Sequence, residues 1–143
     1  TSYINSGNIL FETSDETNLA SRVASSIRRH SGLDIDVAVI SAQRWVTIIA
    51  RAPKDWGHQD NWKHNILVMI PPATTDDLLE AVGVLRPEYE QLTAGDGVLY
   101  QSVSLKHFSR ARSGALVGKP VYKKMTVRNY NTATKLATLL ATD

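Results

Sequence analysis

The chain has 143 residues, of which 43% are hydrophobic and 21% charged, and its formal net charge is +2. These values exclude a disordered chain and leave room for one good core or two small subdomains. The absence of cysteine excludes disulfides, thiolate nucleophiles and Cys-ligated metals. No apolar run approaches a membrane span and no signal peptide precedes the first strand, so the expectation is a cytoplasmic protein with no membrane partner. The chain begins with Thr1, already inside a strand-like stretch, and is expected to be a fragment.

The pattern predicts short strands over residues 2–5 and 8–12, joined at Ser6-Gly7, with Ile9, Leu10 and Phe11 as strand formers. Thr13-Ser-Asp-Glu16 fits a capping box. Leu19, Val23 and Ile27 at spacing four predict an amphipathic helix that Gly32 stops. Ile35, Val37 and Val39 alternate with Asp34, Asp36 and Ala38 as in a half-buried strand. Ser41-Ala-Gln-Arg44 reads as a second capping box, opening a helix with Trp45, Ile48 and Ile49 on one side and ended by Pro53. Residues 54–63 are polar, aromatic and irregular, and read as a linker whose tryptophans pack onto the core.

His64 to Ile70 reads as a continuous apolar strand stopped by Pro71-Pro72. Thr74 or Thr75 caps a helix carrying Leu78, Leu79 and Val82, closed by Gly83. Strands over 89–93 and 98–103 flank the turn Ala94-Gly-Asp-Gly97. A weaker helix is expected over Ser109–Val117, then a strand over 126–128 and a last helix over Thr132–Ala141.

The order over residues 64–128 is β-α-β-β-α-β, the split βαβ or ferredoxin-like arrangement, and residues 1–40 give β-β-α-β. The fold class expected is α+β, with two ferredoxin-like subdomains built on antiparallel sheets, the first lacking its opening β-α. Residues 1–53 form the incomplete first subdomain, 54–63 the linker and 64–143 the second. A missing leading strand exposes sheet edges, so a homo-oligomer pairing through an edge is one expectation.

Two polar clusters stand out. Asn5, Ser6, Gly7 and Asn8 either contact a ligand or simply make a tight hairpin. Arg128, Asn129, Tyr130, Asn131 and Thr132, with Lys135 in the first turn of the last helix, gather cations and amides at a helix N-terminus, where a phosphate or carboxylate can sit. The plainer alternative makes Asn131 or Thr132 a cap. From Lys106 to Lys135 the chain carries cations and no acid. With Phe108 and Tyr122 interleaved, that run could follow a nucleic-acid backbone or be a solvated face. No histidine spacing marks a metal site, no nucleophile motif frames Ser6, Ser109 or Ser113, and no cofactor is implied. The leading functional expectation is a binding module for a small anionic, phosphate-bearing ligand at the last helix. The alternatives are an enzyme of unknown reaction with a site between the subdomains, and a protein–protein interaction module.

Tyr3-Ile-Asn-Ser-Gly-Asn-Ile-Leu-Phe11, the helix that follows it, and Thr126-Val-Arg-Asn-Tyr-Asn-Thr-Ala-Thr-Lys-Leu136 resemble the domain-of-unknown-function family 1697. The resemblance implies a bacterial protein of two ferredoxin-like subdomains, with the family's first strand, Gly-rich turn and first helix absent here. It implies no established activity. The positions matching its motifs are Asn5, Ser6, Gly7, Asn8, Arg128, Asn129, Asn131, Thr132 and Lys135.

Overall fold

A computed structural model describes residues 2, 3 and 7–141. The chain divides into two compact units, Thr1–Val39 and Ile40–Asp143. In the first, strands β1 (Ser2–Tyr3) and β2 (Asn8–Ile9) pair antiparallel, with Ser2 opposite Ile9 and Tyr3 opposite Asn8. Gly7 takes a φ of +74°, which the turn needs and glycine allows. β2 ends at Ile9 rather than at Glu12, and residues 4 and 5 of the first expected strand lie outside the described residues.

Helix α1 (Leu19–Ser31) starts later than the Thr13–Glu16 signal suggests. Thr13 and Asp15 spend their polar groups locally: Thr13 Oγ1 accepts from Asp15 N at 3.2 Å, and Asp15 Oδ1 accepts from Thr17 N at 3.0 Å. That is an Asx-type turn, which competes with capping. Asn18 then stands at the N-cap with φ 49° and no side-chain cap bond, while Gly32 closes the helix as expected. The strand expected over Ile35–Val39 does not form. Alternation marks a face, but a strand also depends on pairing with a second segment, which alternation alone does not specify.

The second unit opens with α2 (Ala42–Ala50), where Ser41 Oγ accepts from Arg44 N at 3.3 Å. Only this half of the second capping box exists. Arg44 is a donor and cannot return the bond; its guanidinium instead grips Asp96, Nε to Oδ2 at 2.9 Å and Nη2 to Oδ1 at 3.1 Å. β3 (Trp62–Met69) leads to α3 (Thr75–Val82), whose Thr74–Asp77 capping box is complete. β4 (Glu90–Ala94) and β5 (Val98–Ser104) form the hairpin expected around Gly95–Gly97. Three 3-10 segments follow, Phe108–Arg110, Arg112–Leu116 and Pro120–Lys124, in place of the α-helix expected over Ser109–Val117. β6 (Met125–Asn129) and α4 (Tyr130–Leu140) complete the unit.

The four strands form one antiparallel sheet in the order β4-β5-β3-β6. β3 and β5 pair with Leu67 opposite Leu99 and Ile66 opposite Tyr100, so alternate residues face opposite sides. One face carries Leu67, Met69 and Leu99 against Leu78 and Val82 of α3 and Leu116 of the second 3-10 segment. On the other, Tyr100 donates its hydroxyl to Ile48 O of α2 at 2.7 Å, and α2 in turn packs on α4 through Trp45 Nε1, which donates to Ala133 O at 3.1 Å. Trp56 from the linker region is buried and donates to Asn65 O at 3.0 Å, as its packing role predicts. Full burial of a residue such as Ile66, Leu78 or Leu99 contributes roughly 1.5–3 kcal/mol. The candidate sites lie on the middle strands β3 and β5 with the 3-10 segments that pack on them, and at the end of the edge strand β6.

Candidate functional site

The β6–α4 junction holds five of the sequence-predicted residues. Asn129, not Asn131 or Thr132, is the N-cap: its Oδ1 accepts from Thr132 N at 2.8 Å. Thr132 is buried and Asn131 exposed. With α4 starting at Tyr130, Lys135 stands in the second turn rather than the first, and its side chain is exposed. Arg128 is half-buried, and its Nη1 donates to Thr126 Oγ1 and to Val127 O, both at 2.7 Å. Burial lowers its pKa from the usual value, although an arginine remains charged at any ordinary pH. One N–H that an anion would use at this helix start is therefore already held by the chain's own amide.

Asn5 and Ser6 lie outside the described residues. Gly7 and Asn8 belong to the first unit, whereas Arg128–Lys135 belong to the second. Within the basic run, several cations are engaged inside the protein. Lys119 Nζ donates to Ala81 O at 2.7 Å, and Arg110 lies over the Tyr89 ring at 5.9 Å from its centroid. Among the described residues no group of three His, Asp or Glu is placed to hold a metal ion.

A cavity of about 170 Å³ lies between the sheet and the 3-10 segments, all within the second unit. Leu67 of β3, Val127 of β6 and Leu116 contribute apolar surface, while Phe108 and Tyr122, both partly exposed, line its more open side. Three polar residues also line it: Asn65, Gln101 and Ser113. Asn65 and Gln101 are opposite one another on β3 and β5, and Asn65 Nδ2 donates to Gln101 Oε1 at 2.8 Å. Ser113 is only 7% exposed, and its Oγ has no hydrogen-bond partner.

The segment bearing Ser113 is anchored by Glu90. This residue is 0% exposed, and its two carboxyl oxygens accept from Arg112 N at 2.6 Å and Ser113 N at 2.9 Å. The backbone amides around Ser113 are thus satisfied, and its hydroxyl alone is left over. Sequence reasoning weighed Ser113 as a nucleophile but missed Asn65 and Gln101. The available signal was an amide side chain, Asn65 or Gln101, beside the apolar run of each strand.

On the opposite face, His64 is buried, with Nδ1 2.9 Å from Ser102 Oγ and Nε2 3.5 Å from Gln59 O. Because a carbonyl only accepts, Nε2 carries the hydrogen and neutral Nδ1 accepts from the Ser102 hydroxyl. Burial holds the His64 pKa below its ordinary 6.5. Both of its ring nitrogens are taken up by the protein's own groups.

Residues 1–100 match the model of a family described as Protein of unknown function (DUF1697). The chain belongs to this family. Among solved structures, a conserved bacterial protein from Streptococcus pneumoniae resembles it with a TM-score of 0.83 at 23% identity, over 98% of this chain and 79% of that one. At that identity the likeness shows the shared fold. No curated protein matches. Membership of the DUF1697 family agrees with the α+β architecture and brings no activity with it, so function is argued from the sites themselves. No helix among the described residues is long and apolar enough to cross a membrane.

Proposed function

We propose that this chain is a small-molecule binding module whose ligand occupies the cavity between the sheet and the 3-10 segments. One observation carries the reading: a buried serine hydroxyl without a partner lines a cavity that also holds a paired Asn and Gln. Burying an unsatisfied hydroxyl costs roughly 1–3 kcal/mol, which a bound guest recovers. At about 170 Å³ the space is near the ~150 Å³ that accepts benzene and below the ~300 Å³ of drug-sized pockets, so the guest is small. Ser113→Ala is therefore expected to leave thermal stability equal or slightly higher. Val127→Phe, which fills the space, is expected to abolish binding. Amide spectra of ¹⁵N-labelled protein titrated with a fragment panel give the readout. Shifts confined to residues around Asn65, Gln101 and Ser113 support the proposal, and a panel that moves none of them rejects it.

A second reading is a small anion at the β6–α4 junction, favoured by the half-buried guanidinium of Arg128 just before a helix start. Such an anion competes with Asn129 Oδ1 for the first N–H groups. Calorimetry with inorganic phosphate separates the cases: heat that disappears in Arg128→Ala supports this site, and equal negligible heats remove it. The element order and the strand order β4-β5-β3-β6 support reading residues 62–129 as a ferredoxin-like unit, with 3-10 segments where the second helix would stand.

A further inference from the structure

The chemistry of the cavity wall specifies what kind of molecule it takes. No charged side chain lines it; its polar side chains are the amides of Asn65 and Gln101 and the hydroxyls of Ser113 and, on the open side, Tyr122. Moving an ion from water into a partly enclosed apolar space without a counter-charge costs far more than such hydrogen bonds return. The guest is therefore neutral. It is also not purely apolar, because Ser113 Oγ is buried without a partner and a hydrocarbon would leave it unpaired.

The Asn65–Gln101 pair on the same wall adds further hydrogen-bonding capacity. Asn65 Nδ2 donates to Gln101 Oε1, which leaves the pair with Asn65 Oδ1 as an acceptor and Gln101 Nε2 as a donor. Rotating both side-chain amides by half a turn exchanges the atoms but again leaves one acceptor and one donor. The remainder is a property of the pair, not of one assignment. Ser113 Oγ adds a group that can donate or accept. A guest satisfying all three carries both N–H and C=O groups. The volume allows about one six-membered ring, and two aromatic rings, Phe108 and Tyr122, line the same space.

We infer that the cavity binds a neutral single-ring molecule bearing both N–H and C=O groups, the chemistry of lactams and of pyrimidine bases such as uracil. The inference rests on the cavity being the ligand site proposed above, and the test separates the two. Uracil, toluene and benzoate, similar in size, are titrated against the full chain by ¹⁵N amide spectra. Uracil is expected to bind roughly tenfold or more tightly than either of the others, with shifts centred on Asn65, Gln101 and Ser113. Its affinity is expected to fall several-fold in Ser113→Ala, a variant that removes only an unpartnered hydroxyl and so keeps the fold. Toluene binding as well as uracil overturns the hydrogen-bonding class while leaving the cavity a ligand site. Benzoate binding as well as uracil overturns neutrality in the same way. An unchanged uracil affinity in Ser113→Ala overturns the role given to that hydroxyl. Failure of all three probes to move these residues overturns both the class and the site.

Discussion

His64 and Asn65 are neighbours on one strand, yet their side chains serve opposite faces of the sheet. Both were hidden by reading His64–Ile70 as a continuous apolar strand. Composition along a strand shows that it is buried, but not which polar residue meets which, since that requires the register that sets His64 opposite Ser102 and Asn65 opposite Gln101. His64 carries a pH prediction. Its pKa in the folded protein lies below the 6.5 of an exposed histidine, chiefly because burial disfavours the charged ring. The unfolded chain therefore takes up the proton first as pH falls. The contribution of the neutral ring to stability is fully present above about pH 6.5 and is lost as pH drops through the lower folded value. Urea midpoints measured from pH 7.5 to 5 are expected to fall in the wild type and to fall less in His64→Gln. Parallel curves for the two proteins would assign the pH dependence elsewhere.

At the scale of elements, the sequence was most informative where a cap is local. The cap expected at Thr74 or Thr75 is at Thr74, and its box with Asp77 needs only residues three apart. The last helix was recognisable too, but its cap shifted to Asn129 because β6 runs through Asn129 and the helix begins immediately afterwards. The Ser109–Val117 segment departs further. Gly114 interrupts its helical pattern, and the deciding partner, Glu90, is more than twenty residues away on β4. A buried carboxyl holding two successive amides fixes a turn that an α-helix would not present. Glu90→Leu strands both N–H groups and is expected to cost about 3 kcal/mol, with Glu90→Gln, which keeps one acceptor, costing roughly half of that. Chemical denaturation of the two variants checks the order. Equal losses would mean that volume, not the hydrogen bonds, matters at this position.

Across the whole molecule, the α+β class was legible because hydrophobic alternation and helical spacing are properties of single segments. What failed to appear was the Ile35–Val39 strand, whose alternation is as good as any in the chain, because alternation marks a buried face and does not specify the pairing a strand depends on. Burial follows the same division. Every buried residue among those described, from Trp45 to Ala137, lies in the second unit, and α1 has none. Stability should therefore reside in residues 40–143. All three tryptophans, Trp45, Trp56 and Trp62, fall in that unit and report on it directly. A polypeptide of residues 40–143 is expected to unfold cooperatively in urea, with a blue-shifted tryptophan emission and a stability within about 1 kcal/mol of the full chain. The buried Trp45 and Trp56 indoles, each donating to a backbone carbonyl, are the groups whose emission would move first if that core loosened. A fragment with solvent-exposed emission and no transition would show that the first unit completes the core.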